Sequence, residues 1–155
     1  MRSTFSSQKG ASAVEFALIL PLLMLILFGI IEFSLLMYNK AMITNASREG
    51  ARRGIVYRVN VATNPASYAP LTDTEIRTEV TNYLANHLIT FYGPTSHTTT
   101  ITPAQPRTTG ALLTVTVTYP YQFLAVPPIA ALVGSGGPAL PGTITLNSAT
   151  QMRME

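Results

Sequence analysis

Residues 10–37 read GASAVEFALILPLLMLILFGIIEFSLLM, and this stretch decides the fold. From Ala17 to Ile31 no residue is charged, and between Ala11 and Met37 the charges are Glu15 and Glu32 alone. An α-helix rises about 1.5 Å per residue, so a hydrocarbon core of about 30 Å takes roughly 20 residues to cross. The run is long enough to span a bilayer as one helix. Its unusual feature is Glu15, near its beginning. An ionised side chain in an apolar segment costs kilocalories and is kept for a partner or a function.

Working outward from this run, Met1 to Lys9 form a polar leader with Arg2 and Lys9 and no acid. Positive charge ahead of the first apolar segment favours a cytoplasmic N-terminus. The far flank carries Lys40, Arg48, Arg52, Arg53 and Arg58, so charge counting alone leaves the orientation open. Beyond Met37 the pattern stays helical through Met42, Ala46, Glu49 and Arg53, with Glu49 in reach of Arg52 or Arg53 one turn on. Gly54 suits a C-terminal stop. A helix over 11–54 would be about 65 Å long, so half of it projects from the membrane as a stalk. Pro21 lies inside it and predicts a kink or a loosened turn.

A short polar leader, Gly10, and a Glu five residues later inside an apolar run have the layout of a type IV prepilin signal. Pro21 follows early in the run, Gly29 and Glu32 late, and then comes Ala46-Ser47-Arg48-Glu49-Gly50-Ala51-Arg52-Arg53. With these residues the chain resembles the TadE-like family, the pilin-like proteins of the tight-adherence (Flp) pilus machinery. The similarity is sharp over Gly10 to Gly54; beyond it, only a strand-rich tail ending at Met152 to Glu155 is similar.

The resemblance implies cleavage between Gly10 and Ala11 by a prepilin peptidase in the membrane. It also implies that Glu15 neutralises the new Ala11 amine of a neighbouring subunit, since two charges in a low-dielectric bundle are tolerable as a pair. The plainer alternative is that Glu15 snorkels to the headgroups. Phe16, Pro21, Gly29 and Glu32 belong to the membrane segment. Gly29 either allows close helix approach or is an ordinary membrane glycine, and Glu32 either faces the outer headgroups or pairs across a helix interface. Arg48, Arg52 and Arg53 form a juxtamembrane basic cluster that grips lipid phosphate or an acidic partner, or is a solvated stalk face. The expected partners are the membrane, the peptidase and other pilin-like subunits.

In the rest of the chain, Asn60 to Pro70 reads as a connecting loop. Thr72-Asp73-Thr74-Glu75 has the form of a capping box, and Ile76, Val80, Leu84, Leu88 and Phe91 follow at helical spacing, predicting a helix from Asp73 to about Thr90. Thr98 to Thr102 reads as a strand. Leu113, Val115, Val117 and Tyr119 alternate with threonines in the clearest strand signal, and Thr143 to Met152 is the last strand. Phe123 to Pro141 is apolar but broken by prolines and glycines, too interrupted for a second span, and reads as a loop on the core or the membrane surface. The expectation is an α+β, pilin-like protein: a leader at 1–10, a transmembrane and stalk helix at 11–54, and a small extracytoplasmic domain at 55–155 with one amphipathic helix and a short antiparallel sheet.

The net charge of +3 is unevenly placed, with +4 over residues 1–58 and −1 over 59–155. Basicity therefore belongs to the membrane flanks and does not point to nucleic acid. There is no cysteine, hence no disulfide framework or thiolate site. His87 and His97 lack the spacing of metal ligands on a helix, and Asp73 is accounted for by the capping box. No phosphate loop or nucleophile elbow occurs. The expectation is a structural component of a bacterial inner membrane apparatus, with no enzymatic activity, cofactor, metal or small-molecule substrate. Two other readings stay open: an uncleaved signal-anchored envelope protein whose domain binds a partner, and a secreted domain behind a signal peptide.

Overall fold

The structure, a computed structural model, describes residues 5–60, 67–91, 96–125 and 142–154. Helix α1 runs from Phe5 to Gly54 and continues unbroken through Gly10 and Pro21. It starts ahead of Ala11, the expected beginning of the helix. Next come β1 (Tyr57–Asn60), β2 (Ser67–Pro70), α2 (Asp73–His87), β3 (Thr98–Thr102), β4 (Leu112–Gln122) and β5 (Thr143–Arg153). The expected α+β architecture is present: a long apolar N-terminal helix, then a small domain with a second helix and antiparallel sheets.

Among the described residues, the first half of α1 from Gly10 on is largely exposed. Its most apolar window has a mean hydropathy of 2.7 and no buried residue, and by length and composition α1 is sufficient to cross a membrane. From Glu32 onward one face turns inward. Glu32, Leu36, Asn39, Ile43, Ala46, Ser47, Gly50, Ala51 and Gly54 are buried, at the three- and four-residue steps of one helix stripe. The second half of α1 is thus the central helix of the core rather than a free stalk.

Sheet order is β3-β4-β5, antiparallel throughout. Alternation puts Leu113, Val115, Val117, Tyr119 and Tyr121 of β4 on the inner face, joined by Ile101 of β3 and Leu146 of β5. Helix α1 packs over β4 and β5; α2 lies beside α1 and presents Ile76, Val80 and Leu84. Ser47 meets Ser148 and Thr150 hydroxyl to hydroxyl, at 3.2 and 2.8 Å, so the polar positions of β5's inner face are matched where they meet α1. Pro120 is accommodated in β4 because β3 pairs only as far as Thr118, leaving Pro120 with a single strand neighbour.

Three local expectations are corrected. Residues 57–60 and 67–70 pair as an antiparallel hairpin, Tyr57 with Pro70 and Val59 with Tyr68, where a loop was read from Asn60 to Pro70. Each strand is only four residues long and its apolar positions Val59 and Tyr68 stay exposed, so the alternation is too short to stand out in the sequence. Helix α2 stops at His87, with Leu88 extended at ψ 134°, short of Thr90. The cause is Asn39, whose Nδ2 donates to Ile89 O at 2.8 Å while Ile89 N donates to Asn39 Oδ1 at 3.1 Å. That clamp holds Ile89 outside the helix and leaves Phe91, read as a core position, 67% exposed. Lastly, Asp73 is not explained by the cap alone. Thr72 is the N-cap and Glu75 completes the box, while Asp73 pairs with the buried guanidinium of Arg107.

The close approach at the end of α1 gives a test. A Cβ on Gly50 would lie 2.7 Å from Val80 Cγ2, and Val115 Cγ1 stands at 3.4 Å, whereas nothing lies within 4 Å of one on Gly29. Valine is stiff at χ1, so overpacking of about 1–3 kcal/mol should exceed the gain of about 1 kcal/mol in helix propensity. Gly50→Ala should lower the thermal midpoint in detergent micelles, followed by near-UV circular dichroism, while Gly29→Ala should leave it unchanged or raise it.

Candidate functional site

The residues singled out on the sequence fall on α1 and divide into an exposed and a docked set. Gly10, Ala11, Glu15 and Phe16 are exposed on the helix surface. Pro21 and Gly29 are half-buried in that surface. Among the described residues, no second element is seen to bury any of them.

Glu32 behaves differently. It is 3% exposed, and its carboxylate accepts hydrogen bonds from the successive backbone N–H groups of Leu124, at Oε1, and Ala125, at Oε2 and 3.0 Å. Two adjacent amides aimed at one anion form a nest, and charge-assisted bonds of this kind offset the desolvation of a buried carboxylate. Tyr121 Oη donates to the carbonyl of Glu32 at 3.4 Å. Burial, and then the charge of Glu32, push the Tyr121 phenol up to about 12. Neither role expected for Glu32, outer headgroups or a pair across helices, describes these contacts. In the chain it fastens the segment after β4 to α1. Sequence reasoning missed this because the partners are backbone amides, which no side-chain pattern announces. Most of the apolar 123–141 segment, residues 126–141, lies outside the described residues; Phe123, at its start, packs against the core.

The basic cluster is also divided. Arg48 is exposed. Arg52 is exposed and bonded to Glu49 at 2.8 Å, and Arg53 reaches both Glu49, at 2.6 Å, and Glu79 of α2, at 2.5 Å. Hydrogen bonds from Arg52 and Arg53 hold the Glu49 carboxyl below its ordinary value. Glu49, Arg53 and Glu79 line an open cleft with Asn82, Tyr83, Asn86 and His87, the last stacked on Tyr83 at 4.2 Å. Among the described residues, no group of three or more His, Asp or Glu side chains could hold a metal ion.

Two further residues hold the site and were not foreseen. Asn39, fully buried, continues the stripe of Glu32 and Leu36, and a polar residue at that spacing is the signal that would have found it. Arg107 is buried in a loop with no pattern around it; it donates to Pro103 O and Leu71 O, each at 3.1 Å, and to Asp73.

Glu32→Gln tests the nest. The amide would turn a donor toward one of the two N–H groups, so the loss should be about 2–3 kcal/mol, typical of a charged hydrogen bond replaced by an unmet donor. Hydrogen exchange at Leu124 and Ala125 should rise. In tyrosinate absorbance the slow-titrating phenol should move down from about 12 yet stay above the ordinary value, because burial is the larger cause. The sign for stability follows from a raised phenol pKa: its contribution is complete below about 10 and is lost as pH rises toward about 12.

No curated protein and no solved structure matches the chain. One family does: residues 10–52 match the model described as TadE-like protein, a span that takes in Gly10, Glu15, Glu32, Asn39, Arg48 and Arg52, and this N-terminal segment is therefore TadE-like.

Proposed function

We propose that the protein is a pilin-like structural subunit, of the minor-pilin or pseudopilin kind, in a tight-adherence (Flp-type) pilus system. It would be held in the bacterial inner membrane by α1, N-terminus in the cytoplasm and domain outside, and cut after Gly10 by a prepilin peptidase. The observation that carries this reading is the bare first half of α1. From Gly10 onward it falls within the TadE-like match, and its most apolar window has no buried residue among those described, which supports a surface left for lipid and for the helices of neighbouring subunits.

In that setting Glu15, exposed on the bare half, is the group that a free Ala11 amine on a neighbour would neutralise. Gly10 lowers the cost of the extended chain a protease needs, by about 1 kcal/mol relative to Ala. On this reading Arg48 to Arg53 stand about 24–32 Å along the axis beyond Glu32, clear of the headgroups, and serve contacts between proteins. The role is structural, with no enzymatic step assigned. One observation favours the second reading, an uncleaved signal anchor: α1 is helical through Gly10, and the chain must unwind there before it can be cut.

Intact mass of the membrane-extracted protein, with and without its cognate prepilin peptidase, separates the two. Loss of residues 1–10 only in the presence of the peptidase is expected. A chain beginning at Met1 in both samples would leave the signal anchor. Glu15→Ala should then be cut like the wild type but support few or no pili; normal pili from that variant would remove the pairing role.

A further inference from the structure

The end of the domain nearest the bare half of α1 is a ring of apolar side chains without charge. Leu35, three residues past Glu32, lines a shallow groove with Ile89, Phe91, Tyr121 and Leu124. Phe91 is 67% exposed, Leu124 54% and Ile89 38%. Ile144, paired with Tyr121 at the start of β5, is 42% exposed at the same end.

Charge is segregated in the same sense. The described residues 88–91, 119–125 and 142–146, which supply this end, contain no Asp, Glu, Lys or Arg. The charges carried by described elements beyond Lys40 lie toward the other end: Arg48 to Arg53 in the last turns of α1, Arg58 in β1, Asp73 to Glu79 in the first turns of α2, Arg107, and Arg153 at the far end of β5 opposite Leu112. On α1 itself, Glu32 is spent on Leu124 and Ala125, and Lys40 donates to Asn147 O. A soluble surface would mix its charges over both ends. Here the apolar ring carries none, and the charged groups beside it, Glu32 and Lys40, are bonded to backbone.

Length places this ring. Residues 10–31 make about 33 Å of helix, close to the hydrocarbon thickness of about 30 Å. Leu35 then lies about 5 Å further along, within the interfacial layer of about 5–8 Å on each side.

We propose that this ring, Ile89, Phe91, Leu124 and Ile144 around α1, is a lipid-contacting surface seated in the interfacial layer of the bilayer. The domain then rests on the membrane instead of standing off it on a stalk, with the nest at Glu32 holding the Leu124 edge down. The inference rests on reading α1 as the membrane span. Residues 126–141 carry no part of it.

The chain has no tryptophan, so single probes report cleanly. The full-length protein, reconstituted in phosphatidylcholine vesicles, would carry Phe91→Trp, Leu124→Trp, Phe28→Trp within the span, or Tyr68→Trp on the hairpin at the far end, where Tyr68 is 74% exposed. Lipids brominated near the headgroup end of the acyl chain are the quencher. The expected result is loss of emission from the probes at 91 and 124, loss at 28 with deeper bromines, and none at 68. Quenching at 28 with the probes at 91 and 124 as insensitive as the one at 68 would overturn the seated ring and leave the span. No quenching at 28 would remove both. Probes at 91 and 124 that are shielded from lipid only at high protein-to-lipid ratio would assign the ring to a second copy of the chain and overturn the lipid contact.

Discussion

A continuous helix that is bare over one half and packed over the other must pass from one environment to the next without exposing a polar group at the wrong depth. The bond that arranges this passage is the carboxylate of Glu32 with the amides of Leu124 and Ala125. A charge at the margin of an apolar segment, and two backbone donors at the end of a strand, are each costly alone in a dry setting. Together they satisfy one another, and Tyr121 adds a donor to the Glu32 carbonyl. Below this point the described residues of α1 are mostly exposed, and beyond it one face of the helix is docked.

Docking of the second half depends on side-chain size. The buried stripe runs from Leu36 and Ile43 to Ala46, Gly50 and Gly54, becoming smaller as α2 and β4 close in. Ile76 and Leu113 occupy the room that a side chain at position 54 would need. Gly54 therefore serves packing as well as termination. The helix is unbroken across Glu32, so its bare half and the half in the core are one continuous element.

At the opposite end, charges are paired in place. Glu49, Arg53 and Glu79 tie the last turns of α1 to α2, and Arg107 with Asp73 ties the loop before β4 to the start of α2. The exposed pairs contribute little each. Arg107 differs, since burial lowers its pKa and its removal would take a donor from Asp73, Pro103 O and Leu71 O, of which Leu71 O keeps Gln105 Nε2. The domain thus has an ionic end and an uncharged end.

By itself the sequence determined what periodicity and composition can carry: the bare helix, the capping box at Thr72, the three strands of the main sheet, and the TadE-like signature around Gly10 and Glu15. These are local patterns, each legible because a repeat of 3.6 or 2 residues, or a fixed spacing, states it directly. Tertiary structure alone decided the partners of Glu32, Asn39, Asp73 and Arg107, the hairpin of Tyr57–Asn60 with Ser67–Pro70, and the early stop of α2. In each case the deciding group is a backbone amide or carbonyl, or a side chain tens of residues away. A backbone group has the same chemistry at every position, so only the path of the chain can say which one a buried polar side chain will meet.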